Sequence, residues 1–120
     1  MEGFTKLEEA ALHDVCIRFP NDKIALMAQL TTAKVRSREN TGVGFYTRID
    51  VERESSAALE GEGMRSGGWV HIDGLDNLMG FILWLRDGYA DCLEGFTVTD
   101  STVGLDLAAI SFALPFLDSN

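Results

Sequence analysis

The chain has 120 residues, 46% of them hydrophobic and 24% charged, which is the make-up of one globular domain, residues 1–120, with no room for a second core. Its net charge is -9 and unevenly placed, for Arg86 is the only cation after residue 65, set against seven aspartates and Glu94. This balance disfavours nucleic acid as a partner, because that affinity rests on basic groups releasing condensed counterions. The longest nearly uncharged run, Leu107 to Leu117, is too short to cross a bilayer.

The first predicted element is a helix over Thr5–Phe19. Leu7, Ala11 and Val15 form its apolar stripe, Thr5 and Glu8 have the spacing of a capping box, and Pro20 ends it. Asn21 or Asp22 then caps a second helix running to about Thr31, with Ile24, Met27, Ala28 and Leu30 as its apolar side. After Thr32 the period changes to two. Lys34, Arg36 and Arg38 alternate with Val35 and Ser37 in a first strand, and the three cations are read as a solvated strand face.

The second strand, Val43–Glu52, alternates most cleanly: Val43, Phe45, Thr47, Ile49 and Val51 face one way, Tyr46, Arg48, Asp50 and Glu52 the other. Residues 53–68 show no period and are predicted to form a long mobile loop. Further strands follow at Trp69–Asp73, Met79–Arg86 and Tyr89–Thr97. The last two are joined by Asp87-Gly88, a pair suited to a type I′ hairpin turn. The alternation of Ile110, Phe112, Leu114 and Phe116 predicts a short final strand. The predicted fold is α+β: an N-terminal helical pair packed on a largely antiparallel, five- to six-stranded meander sheet.

The runs Thr41-Gly42-Val43-Gly44-Phe45-Tyr46-Thr47, Gly80-Phe81-Ile82-Leu83 and Asp87-Gly88-Tyr89-Ala90-Asp91-Cys92-Leu93-Glu94-Gly95-Phe96-Thr97 resemble a family of small bacterial proteins of unknown function. The likeness covers nearly the whole chain and departs after Thr97, where the family's acidic, Trp-Pro-containing turn is missing. It implies the same fold and no catalytic residue. Motifs of glycine and large apolar side chains describe packing before they describe chemistry.

Little in the sequence points to catalysis. Cys16 lies three residues after His13 and Cys92 lies mid-strand, and both are read as core thiols. Neither belongs to a C-x-x-C pair, and with no leader pattern at the N-terminus they predict a cytoplasmic protein with free thiols. His71 and Asp73 share a strand face, but a metal site would need Asp50, Asp91 or Glu94 to join them, so no metal or cofactor is assigned.

The constellation of most interest is a sheet face. If Phe45, Ile49, Val70, Ile72, Phe81, Leu83 and Leu85 meet the helices, the opposite face carries Tyr46, Arg48, Trp69, His71, Ile82, Trp84, Arg86, Tyr89 and Asp91. Aromatic and Arg side chains are the groups that anchor binding surfaces. Two arrangements stay open here: a free recognition face at Tyr46, Arg48, Trp69, His71, Trp84 and Arg86, or a face on which Leu105, Ile110 and Phe112 fold over Trp69 and Trp84. The sequence therefore leads to a non-enzymatic interaction module of immunity or inhibitor type, as a homodimer or bound to another protein. The alternative is a small-molecule-binding domain or small enzyme with a pocket near His71.

Overall fold

Thr5 starts helix α1 (Lys6–Arg18) through the predicted capping box: Thr5 Oγ1 accepts from Glu8 N at 3.1 Å, and Thr5 N donates to Glu8 Oε1 at 2.8 Å. Leu7, Ala11, Leu12, Val15 and Cys16 form its buried stripe. In this computed structural model, which describes residues 1 and 3–120, α1 lies across the sheet. Asp14 holds it there, accepting from Gly68 N at 2.7 Å and from Arg18 Nε at 2.9 Å.

Helix α2 (Lys23–Thr32) departs from expectation in its rotation. Leu26, Gln29 and Leu30 are buried, while Ile24 is 87% exposed and Met27 and Ala28 are exposed as well. Gln29 sets the angle. Its Nε2 donates to Ala57 O at 2.8 Å and Gly88 O at 3.0 Å, and its Oε1 accepts from Ala90 N at 2.9 Å. Turning Ile24 inward would break all three bonds and leave backbone groups unpaired. Asp22 precedes the helix without capping it, because its carboxylate accepts from Arg65 Nε at 2.8 Å.

Six strands form one sheet: β1 (Lys34–Asn40), β2 (Gly44–Asp50), β3 (Met64–Ile72), β4 (Met79–Arg86), β5 (Tyr89–Phe96) and β6 (Phe112–Leu117). The order is β1-β2-β5-β4-β3-β6, with every neighbouring pair antiparallel. The fold is thus the predicted α+β arrangement of two N-terminal helices on an antiparallel sheet. β3, β4 and β5 are a central meander, to which the β1–β2 hairpin is added beside β5 and β6 beside β3. Asp87 and Gly88 both take positive φ, as the hairpin turn between β4 and β5 requires. Gly44 also has positive φ, and a Cβ there would overlap the Gly95 carbonyl on β5. No helix among the described residues is long and apolar enough to cross a membrane.

Two segments correct the sequence reading. Residues 53–68 are not one loop: a short 3₁₀ turn occupies Arg53–Ser55, Leu59 is buried and donates its N–H to Gly88 O at 2.8 Å, and β3 already begins at Met64. A register shift between Ser66 and Trp69 interrupts the period there. A second shift, between Val35 and Ser37, places Arg38 opposite Thr47, on the helix side and away from Arg36. The three cations of β1 therefore do not share a face.

The core lies between the helices and the inner sheet face, around Leu12, Val15, Leu26, Ile49, Val70, Phe81 and Leu83. Leu105, Leu107, Ile110, Phe112 and Phe116 pack against this same cluster, and the Phe116 ring meets Phe81 edge-on at 5.7 Å. The chain between β5 and β6 thus runs along the helix side.

Candidate interaction face

With that segment on the inner side, residues 98–117 do not fold over the Trp69 and Trp84 face. The strand pairing arranges the outer side chains in three rows: Tyr46–Glu94–Ile82–Ser66, then Arg48–Cys92–Trp84–Met64, then Gly44–Phe96–Gly80–Trp69. In the last row the bare Gly80 leaves room for the Trp69 and Phe96 rings, which meet edge-to-face at 5.1 Å. Trp84 is 39% exposed, and its indole Nε1–H donates to Glu94 Oε1 at 2.9 Å. Arg48 stands over the Tyr46 ring at 5.3 Å and reaches Glu39 at 3.6 Å.

The sequence-predicted residues all lie on this side, but not all lie together. Tyr46, Arg48, Trp69 and Trp84 occupy its centre. Arg86 sits at the β4–β5 hairpin end, 4.0 Å from Asp91, near the Arg36–Asp50 pair at 3.5 Å. His71 is at the opposite end, beside Ala113 of β6. The two ends are more than about 20 Å apart along the strands. Among the described residues, no group of three or more His, Cys, Asp and Glu side chains is placed to hold a metal ion.

The cysteines separate. Cys16 is core as read, its thiol pKa raised by burial, while His13 points to solvent and is no partner for it. Cys92 is not core: it is half-buried on the outer face between Arg48 and Trp84. Burial raises its pKa, Asp91 and Glu94 add to the rise, and Arg48 opposes it. Neither thiol is activated as a nucleophile.

No family model, curated protein or solved structure matches the chain.

What the sequence reading missed is on the inner side. Glu8 is buried, and its carboxylate accepts from Arg38 Nε and Nη2, both at 2.9 Å, from Thr47 Oγ1 and from Thr5 N. Burial alone would push its pKa up, but the bonds from Arg38, Thr47 and Thr5 outweigh that and hold it below the ordinary value. One signal was available: Thr47 is the polar member of an otherwise apolar inward set, and a buried hydroxyl needs a partner. The cluster forms part of the wall of a cavity of about 210 Å³ between α1, β1, β2 and residues 105–108. A second cavity of about 160 Å³ lies at the hairpin end, beside Arg36, Arg53, Arg86 and Tyr89. His71 and Arg48 line neither.

Proposed function

We propose that this protein is a binding module that acts through its open sheet face, and that the face docks against a second copy of the chain. The observation that carries the reading is an aromatic sheet face, centred on Tyr46, Trp69, Trp84 and Phe96, over which no other element folds among the described residues. Charge favours a second copy as the occupant. On this face Arg36, Arg48 and Arg86 are each close to a carboxylate, Asp50, Glu39 and Asp91, so most of the net -9 lies elsewhere. Two copies meeting here avoid the repulsion that their remaining surfaces would bring.

Area agrees with this. Six strands at ~4.8 Å spacing and about eight residues in length offer roughly 600 Å² per copy, or on the order of 1,200 Å² per pair, the lower bound of a stable interface. The strand edges are less suited to pairing, for β1 carries Lys34 and Arg36 and β6 is short and contains Pro115. On this reading the protein is cytoplasmic, in keeping with two free thiols, and akin to the small bacterial proteins whose glycine and aromatic motifs it shares.

Sedimentation velocity over a concentration series tests the proposal. The wild type should pass from monomer to dimer, and Trp84→Ala should weaken the dimer about thirtyfold, the effect of losing an aromatic anchor worth ~2 kcal/mol. Cys92 supplies an internal probe, because its reaction with a thiol reagent should speed up on dilution. A monomer at every concentration, with Cys92 reacting at a constant rate, would overturn the self-docking face.

A further inference from the structure

The cavity beside Glu8 has features that packing alone leaves unaccounted for. It is a cleft partly open to solvent, of about 210 Å³, and its apolar walls are Leu7, Phe45, Leu105 and Leu107. For scale, an apolar cavity of ~150 Å³ in another protein stays dry and admits benzene.

Both sides of the cavity are pinned, so it does not depend on a loose flap. On the sheet side, the Glu8 carboxylate ties α1 to Arg38 of β1 and Thr47 of β2. On the other side, residues 105–108 are anchored before and after. Thr102, fully buried, donates N–H to Gly42 O at 2.8 Å and Oγ1–H to Asn40 Oδ1 at 2.7 Å, and Ser111 O accepts from Asp73 N at 2.9 Å. Between these anchors the chain makes its own turn, with Ala108 N and Ala109 N donating to Asp106. A cleft held between two pinned walls is preformed.

The polar groups in the wall decide which ligand fits. Each Glu8 oxygen already accepts two bonds, and the Thr47 hydroxyl spends its proton on Glu8. Asn40 Oδ1 accepts from Gly42 N and Thr102, and its Nδ2 donates to Thr102 O. Arg38 has its charge matched by Glu8 at 2.9 Å. Of the other charged residues in the lining, Glu39 stands 3.6 Å from Arg48, and Asp106 is exposed, its Oδ1 accepting from Ala108 N. An ion seated against Leu7, Phe45, Leu105 and Leu107 would lose its hydration, and the buried carboxylate beside them, Glu8, is already matched by Arg38.

We infer that this cavity is a binding site for a small uncharged apolar molecule, an aromatic ring or short alkyl chain. The inference is independent of the sheet face, which lies on the other side of the sheet.

The test uses the full chain with labelled leucine methyl groups and three probes of one shape: ethylbenzene, benzoate and benzylamine. Ethylbenzene should shift the methyl signals of Leu7, Leu105 and Leu107, with the two charged probes at least tenfold weaker. Ala108→Trp fills the mouth from an exposed position, so the variant should fold and lose the response. Leu105→Phe, a smaller filling change, should weaken it. No methyl shift at saturating ethylbenzene, equal binding of benzoate or benzylamine, or an undiminished response in a folded Ala108→Trp protein would overturn the inference.

Discussion

On the helix-covered side of the sheet, Glu8, Gln29 and Thr47 are buried and bond only within the chain, whereas on the open side Arg48, Trp84 and Glu94 meet their partners with solvent at hand. Strand alternation builds both sheet faces from the same strands, so the difference is one of enclosure. Where water is excluded, losing a partner strands a polar group and the whole fold bears the cost. Where water can step in, the same loss is nearly free, and the side chains stay available for binding. Substitutions on the two sides should therefore register in different measurements, stability on one and association on the other.

The sharpest way to break this contrast is Gln29→Leu. A leucine keeps the bulk but leaves Ala90 N and Ala57 O without their partner, and Gly88 O keeps only the bond from Leu59 N. Chemical denaturation should report a loss of about 2–3 kcal/mol, chiefly the desolvation penalty of the buried Ala90 N–H, since Ala57 is exposed and water can replace its partner. A loss below about 0.5 kcal/mol, the usual size of a surface substitution, would mean that the inner face tolerates unpaired groups as the outer one does.

Glu8 sharpens the contrast through pH. Its pKa is depressed on folding, so the stability it contributes is complete above the unfolded value of about 4.3 and is lost as pH falls through the lower folded value. Glu8→Gln should cost about 2 kcal/mol near neutral pH, a figure reduced because the Arg38 partner is partly exposed. In the acid range below about pH 4.3 the variant should also lack part of the wild-type decline. Urea titrations from neutral pH into that range measure both; parallel curves for the two proteins would show that Glu8 does not drive the acid response.

The smallest stability effect belongs to Trp84→Ala. Despite removing a large ring it should cost only about 1 kcal/mol or less of monomer stability, since the side chain already meets solvent. A loss of about 3–5 kcal/mol, the range for truncating a core aromatic, would place Trp84 in the core and merge the two faces.

These contrasts were unevenly legible in the sequence. β2 announces itself because it alternates without interruption, β4 because it is one apolar run closed by Asp87-Gly88, and α1 because its capping box is local. The centre of the candidate face, Tyr46, Arg48, Trp69 and Trp84, follows from the period of two in β2, β4 and the second half of β3. The first half of β3 was hidden by an irregular register around Gly67 and Gly68, and Arg38 by the shift in β1. The rotation of α2 depends on Gln29 reaching a hairpin some sixty residues further on, and Glu8 meets Arg38 and Thr47 thirty and thirty-nine positions away. No local pattern encodes such pairings, and a polar letter alone does not say whether its partner is water or the chain.

The place of β5 between β2 and β4 has a consequence for how the protein is made. A ribosome delivers the β1–β2 hairpin early, then residues 51–88, and only then the strand on which β2 must lie. At about 5–20 residues per second this interval lasts a few seconds, long beside the microseconds in which a hairpin forms. A lone two-stranded ribbon is at best marginally stable in water, so Phe45 and Ile49 have no lasting shelter while they wait. β5 then joins two portions of sheet made at different times, and the speed of its synthesis sets how long the nascent chain remains unfinished.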